Sequence, residues 1–201
     1  MTPSDPPSAS GAPPQRVPPE APPLVVRAVA DAASWEAARA IRERVFVREQ
    51  ACPPEEEWDA HDWPTDRGAS CRHLLGVAGE QPVAACRWRP VEMGPLADAT
   101  GGAPEARTSE AEAPEAGTPA DAPQPWAKLE RFAVLPEARG HGYGRAMVEA
   151  AMADARARGH RRLVLSAQEH LQAFYGAWGF RPVGGTFWEA GIPHVKMTLE
   201  G

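Results

Sequence analysis

The sequence predicts an α/β fold, or α+β if its antiparallel strands are given more weight, built as a mixed central β-sheet with helices on both faces. Three observations lead there. Two apolar runs, Cys71–Gly79 and Pro82–Trp88, flank a tight turn at Glu80-Gln81 and read as antiparallel strands. The C-terminal half alternates apolar runs with helix-length segments in the order strand, helix, strand, helix, strand. Between the first of those strands and its helix stand three glycines at alternate positions, Gly140, Gly142 and Gly144.

Taken in order, residues 1–23 hold nine of the chain's 23 prolines and no aromatic residue. Nothing there can offset the entropy of ordering, so a disordered proline-rich tail is expected. Leu24–Val29 is a short apolar run fit for a first strand, and Asp31 or Ser34 can cap the helix that follows. In that helix Trp35, Ala38, Ile41, Val45 and Phe46 recur near every 3.6 residues. Cys52-Pro53-Pro54 ends it, because proline lacks the N–H and crowds the preceding turn. An acidic stretch with two tryptophans runs from Glu55 to Trp63.

After the paired strands, Gly94–Pro125 carries six more prolines among repeated Ala, Glu, Gly and Thr, again without an aromatic residue. A long flexible insertion is expected there. Lys128–Leu135 reads as the next strand, closed by Pro136. Past the glycines, a helix is expected from about Arg145 to Arg158, stopped by Gly159. Leu163–Leu165 follows as a buried strand, Glu169–Trp178 as a short helix with Gly179 at its end, and Phe180–Val183 and His194–Leu199 as the last strands. A chain of 201 residues fits one domain spanning 24–201, with 94–125 an appendage to it.

The formal net charge of −6 lies wholly in the tail and the insertion; the remainder balances 19 acidic against 19 basic residues. No nucleic-acid or membrane surface is announced. The basic run Arg156, Arg158, His160, Arg161 and Arg162 complements the dipole at a helix end. Three cysteines without CxxC spacing, a polar start without a basic leader, and no long apolar run make a reducing cytoplasm the expected compartment. Cys71 and His73 would share a strand face, and His61 is close to Asp59 and Asp62, but no third and fourth ligands come in register, so no metal is expected. The cysteines have no evident base partner and read as packing residues.

The glycine loop is the strongest chemical signal. Residues without Cβ let successive N–H groups point into one concavity, and the helix start adds unpaired donors and the positive end of its dipole. Arg139 and Arg145 flank the loop with charge suited to phosphate oxygens. A P-loop would need Lys-Ser or Lys-Thr after the last glycine, and a dinucleotide fingerprint would need GxGxxG near the first strand of a βαβ unit; neither fits. A turn that holds no ligand is the alternative.

Phe132-Ala133-Val134-Leu135-Pro136 before the loop, with Leu171-Gln172-Ala173-Phe174-Tyr175-Gly176-Ala177-Trp178-Gly179-Phe180 after the next strand, resembles the GNAT acetyltransferase superfamily. There the pattern is V-x-P-x-x-R-G-x-G-x-G, a strand, then a helix ending F-Y-x-x-x-G-F. Further segments are similar to the ElaA-like branch: Ile41-Arg42, Val45-Phe46, Glu49-Gln50, Asp59 near Asp62, His73-Leu74-Leu75, Arg87, Arg131, Ala167-Gln168, His170-Leu171-Gln172 with Phe174-Tyr175, and Gly191-Ile192-Pro193-His194. An extra residue within Glu57–Asp62 and the proline-rich insertion depart from it.

The resemblance implies a GNAT fold whose sheet is splayed at the acyl-CoA site, with acetyl-CoA as acyl donor, no metal, and a small-molecule or peptide amine as acceptor. It implies a pyrophosphate on Arg139, Gly140, His141, Gly142, Tyr143, Gly144 and Arg145, and a pantetheine arm along Phe132, Ala133 and Val134 with help from Gln168. Tyr175 matches the tyrosine that protonates the leaving thiolate. Glu130 is the candidate base, from its position on the splayed strand. Glu49, Asp59, Asp62, Arg87 and His194 are candidates for the acceptor pocket. The assembly is expected to be a monomer or homodimer. Two other readings stay open: a domain that holds acyl-CoA as sensor or scaffold without turnover, and a partner-docking protein whose insertion is the functional part.

Overall fold

The computed structural model describes residues 21–62, 71–93 and 125–201. The tail expected at 1–23 lies outside the described residues except for 21–23, and so does the insertion expected at 94–125 except for Pro125. Trp63 also lies outside them.

Strand β1 (Leu24–Ala28) leads into helix α1 (Ala32–Arg42). The start of α1 is fixed by a reciprocal cap: Ser34 N–H donates to Asp31 Oδ1 at 2.7 Å, and Asp31 N–H donates to Ser34 Oγ at 3.2 Å. The helix does not end where its α-helical bonds do. It continues through Glu43–Glu49 as a π-helix, with Gln50 N–H bonded to the Val45 carbonyl and Cys52 N–H to that of Phe46. Pro53 and Pro54 then start the short α2 (Pro54–Glu57), where the acidic stretch begins.

Strands β2 (Arg72–Ala78) and β3 (Gln81–Val91) form the expected antiparallel pair. The turn is Gly79-Glu80, one residue earlier than the sequence implied, since Gln81 already pairs with Ala78. Strand β4 (Trp126–Val134) pairs antiparallel with β3, up to Val91 opposite Trp126. Helix α3 (Tyr143–Ala157) follows the glycine loop, then β5 (Leu163–Gln168).

The helix expected at Glu169–Trp178 is shorter than anticipated. A 3₁₀ turn at Glu169–Leu171 precedes α4 (Gln172–Gly176), and the chain leaves through tight bonds such as Gly179 N–H to the Gly176 carbonyl. Strands β6 (Arg181–Glu189) and β7 (Ile192–Leu199) close the fold.

Seven strands make one sheet in the order β1-β2-β3-β4-β5-β7-β6, antiparallel except for β4 beside β5. The mixed sheet with helices on both faces is as the sequence implied. α1 and the π-helix that extends it cover one face, burying Ala38, Ile41 and Val45 against Leu75, Ala85 and Ala133. α3 covers the other with Met147, Val148, Ala151, Met152 and Ala155, a 1-3-1-3 spacing that lines one helix stripe. Burying a Met or Val side chain contributes about 1.5–3 kcal/mol, so this stripe is a main source of cohesion. α3 sits close because β2 offers Gly76, where a Cβ would meet Met147 Sδ at 2.8 Å. No helix among the described residues is long and apolar enough to cross a membrane.

Candidate functional site

The centre of the sheet is open. β4 and β5 pair only at Ala127 with Leu163 and Lys128 with Val164, then diverge. The cause is visible on the other side of β4. Between the pairs Arg87–Glu130 and Ala85–Ala133, β3 advances two residues and β4 three. The extra residue is a bulge at Arg131, whose φ is 58°; a bulge bends its strand, and here it swings β4 from β5. The slot so formed is lined by Leu129, Phe132, Ser166, Gln168, Tyr175 and His194 among others.

Beyond β4 the chain makes a 3₁₀ turn at Pro136–Ala138 and enters the loop at Arg139. Gly140 and Gly142 take φ of 82° and 79°, left-handed values that cost a residue with a side chain about 1–2 kcal/mol. Gly142 caps α3, so the N–H groups of Tyr143, Gly144 and Arg145 have no acceptor one turn earlier. A Cβ built on Gly140 or Gly142 would meet nothing within 4 Å, so the face of this loop is open. Clustered main-chain donors, an open surface and the positive end of a 15-residue helix fit a diphosphate.

Most of the loop's side chains already have partners within the protein. Arg139 is bound bidentately to Glu49 at 2.6 and 2.7 Å, and its Nε donates to the Val134 carbonyl at 3.0 Å. Arg145 stacks over Trp178 at 4.7 Å. The Tyr143 ring is buried, with its hydroxyl donating to the Pro22 carbonyl at 2.7 Å, so only its main chain is open at the loop. The His141 side chain is exposed.

Tyr175 stands on α4 among Phe174, Phe180 and Phe132, at ring distances of 5.1, 6.2 and 6.3 Å. Burial raises its phenol well above the ordinary value, so it keeps its proton at neutral pH. Among the described residues its hydroxyl has no hydrogen-bond partner, although it lines the slot. Gln168, at the end of β5, donates to Gln50 Oε1 at 3.1 Å and ties that strand to the end of the π-helix. His194 is opposite Gln168 in the β5–β7 ladder, stacked on Phe187.

Several expected acceptor residues are elsewhere. Arg87 and Asp62 are buried, joined to each other and to Arg42, Glu57, Asp59 and Glu130 in one ionic network between α1, the α2 loop, β3 and β4. Asp59 is held by Arg87, and Glu49 by Arg139, so none of Glu49, Asp59, Asp62 and Arg87 lines the slot. Arg87 and Asp62 satisfy each other where water is excluded, while Asp59 and Glu49 are partly exposed and each held by an arginine.

The base expected at Glu130 is also corrected. Burial alone would raise its carboxyl, but Arg87, Lys128 and Arg89 outweigh burial and hold it at about 2. Its Oε1 accepts from Arg87 Nε at 2.9 Å and Arg89 Nε at 3.0 Å, and Lys128 Nζ is 3.0 Å from Oε2. A carboxylate so placed has little affinity for another proton.

Burial raises the thiols of Cys52, Cys71 and Cys86 above their ordinary value, which disfavours the thiolate. Cys71 does have a neighbour, His73 Nε2 at 3.7 Å, but that nitrogen is 2.9 Å from the His61 carbonyl and must donate there. Burial pushes the Cys71 thiol up to about 11. Among the described residues no three His, Cys, Asp or Glu side chains come together as a metal would need.

Arg42, Glu57 and Gln50 went unassigned in the sequence. Arg42 carried a signal, a charge next to Ile41 on an apolar helix stripe, and Gln50 stood in a segment similar to the ElaA-like branch; Glu57 carried none. Arg131 Nε is buried without an aligned acceptor, 3.1 Å from Glu57 Oε2.

This arrangement has counterparts. Residues 118–201 match the family model described as an acetyltransferase (GNAT) domain. Over 158 residues the chain is 31% identical to the uncharacterized N-acetyltransferase YjcF of Bacillus subtilis (strain 168), covering 78% of this chain and 86% of that protein. The chain belongs to the GNAT acetyltransferase family. Within the family it has the ElaA-like character expected from its motifs: 36 residues are 53% identical to Protein ElaA of Escherichia coli (strain K12), covering 18% of this chain and 24% of that protein. The crystal structure of Escherichia coli ElaA shares the GNAT fold at a TM-score of 0.62, with 24% identity over 88% of this chain and 99% of that one. The structure of an acyl-CoA N-acyltransferase from Pseudomonas aeruginosa is similar to this GNAT chain at a TM-score of 0.61, with 26% identity over 88% of this chain and 97% of that one.

Proposed function

We propose that this GNAT acetyltransferase moves an acetyl group from acetyl-CoA to a primary amine, by direct attack within a ternary complex. The observation that carries the reading is the slot between β4 and β5, which has the glycine loop at the end of β4 and Tyr175 in its wall. Main-chain N–H groups from Gly140 to Arg145 suit the diphosphate, with Arg139 and Arg145 beside them for charge. The edge of β4 at Phe132, Ala133 and Val134, unpaired toward β5, offers peptide groups to the amides of a pantetheine arm. Gln168 is a further amide partner there.

Holding thioester and amine together is the largest contribution, since effective molarities reach about 10⁵ M or more. The amine nitrogen attacks the thioester carbon; an N–C bond forms and the C–S bond breaks. An ammonium becoming an amide N–H loses two protons. One goes by way of Tyr175 to the leaving thiolate and the other to solvent. Tyr175 suits its part because its phenol is protonated. It helps without being indispensable, as a thiol of pKa about 8.5 departs tolerably unaided. The acceptor amine is the harder problem: with a pKa of about 10.4 it is neutral in roughly one molecule in 2,500 at pH 7.

The test is a thiol-release assay with acetyl-CoA across small amines, amino acids, peptide N-termini and lysine side chains, with Arg139→Ala alongside. Release with at least one amine is expected, and a KM for acetyl-CoA raised about tenfold in the variant, the scale of one charged hydrogen bond. Calorimetric binding of coenzyme A with no release from any amine would replace catalysis by acyl-CoA sensing.

A further inference from the structure

We infer that His194 is the general base of this reaction, its Nε2 taking the proton from the attacking amine nitrogen. The inference rests on the acyl-transfer reading above and supplies the proton acceptor that Glu130 cannot be.

The ring's own hydrogen bond carries the argument. His194 Nδ1 lies 2.9 Å from the carbonyl oxygen of Ile192. A carbonyl can only accept, so Nδ1 carries the hydrogen, and the neutral ring keeps its lone pair on Nε2. Among the described residues nothing hydrogen-bonds that second nitrogen, and the ring lines the slot that Tyr175 also lines. Its plane is fixed by stacking on Phe187 at 5.9 Å and 29°. A base oriented by a third group, here a main-chain carbonyl, is the arrangement that activated nucleophiles use.

Charged groups reach the same cleft from several sides. Glu130 is saturated by Arg87, Arg89 and Lys128. Glu57 is buried, with one oxygen on Arg42 and the other beside Arg131. Glu189 lies at the rim, 3.8 Å from Arg131, and Glu56 is exposed. On its own strand Lys196, two residues on, does not line the slot. His194 is thus the titratable group of the slot that combines a lone pair with a fixed direction. The proton it accepts from nitrogen passes to solvent, while Tyr175 supplies the thiolate, so the two protons leaving the nitrogen are accounted for.

The test uses the full chain and the amine giving the fastest wild-type thiol release. His194→Gln should lower kcat/KM at pH 7 by about 10²- to 10³-fold, with acetyl-CoA affinity unchanged by calorimetry. The deficit should narrow as pH rises toward the amine's own pKa, and imidazole should restore part of the rate of His194→Gly. A near-normal rate, or a deficit equal at every pH, overturns the inference while leaving acyl transfer standing. Failure of the wild type with every amine removes both. Independently of turnover, nitrogen-15 NMR of the histidine rings, assigned with His194→Gln, should find the neutral Nδ1–H form; the Nε2–H form would also overturn it.

Discussion

Burial holds the proton on the Tyr175 phenol at neutral pH, so its O–H is present for a sulfur that leaves as thiolate. Tyr175→Phe is expected to lower kcat by about 10²-fold or less, leaving acetyl-CoA binding nearly intact by calorimetry. Glu130 illustrates the limit of single-residue reading. Its place on the strand before the loop was legible, but the arginines facing it depend on a register that the bulge at Arg131 sets, and no local pattern encodes that register. Its carboxyl falls from 4.5 to about 2 on folding. The unfolded chain therefore takes up the proton first, so this group's contribution is complete above about pH 5 and is lost as pH falls through about 2. Glu130→Gln should be less stable at pH 7 and lose stability less steeply between about pH 5 and 2, in circular-dichroism melts across that range. Arg87→Met tests the network's hub: Asp59, Asp62 and Glu130 would face one another without it, at a cost of about 3–5 kcal/mol in urea denaturation.

At the scale of elements, α1, α3 and the β2–β3 pair were readable because each buries one face at its own period. The π-helix was not, since Glu43–Glu49 keeps helical spacing and the wider turn comes from how its end meets β4 and β5. The short α4 was overextended for a similar reason: helix-forming residues surround it, but tight 3₁₀ bonds bound it on both sides. The glycine loop was the most legible element of the candidate site, because left-handed dihedrals demand a specific residue type. Gly142→Ala should cost about 1–2 kcal/mol of stability, a purely conformational penalty as its Cβ would meet no atom. If the loop holds the diphosphate, the Kd for coenzyme A should rise about tenfold, and an unchanged value in calorimetry would move that site elsewhere.

For the molecule as a whole, one sheet with α1 and α3 on opposite faces is what its apolar patterning demanded. The open slot could be anticipated only by resemblance, because it depends on pairing that fails to occur. Long-range connection matters less than it seems. Val91 pairs with Trp126, so the segment between β3 and β4 leaves and rejoins the sheet at one place. Replacing residues 94–124 with a four-residue turn should leave thermal stability equal or higher, as closing a shorter loop costs less entropy, by about 1–2 kcal/mol. Retained thiol release would show the segment is dispensable for chemistry, and its loss would give it a part in function.

The bulge at Arg131 has a genetic corollary. Alternation on either side of it already keeps Leu129, Phe132 and Val134 toward α3 and Glu130 and Ala133 toward α1. Losing that single codon would keep every neighbour on its present side yet straighten the strand, letting it zip onto β5 past Lys128. The product would be a well-folded but sealed protein, a one-triplet route from an open sheet to a closed one.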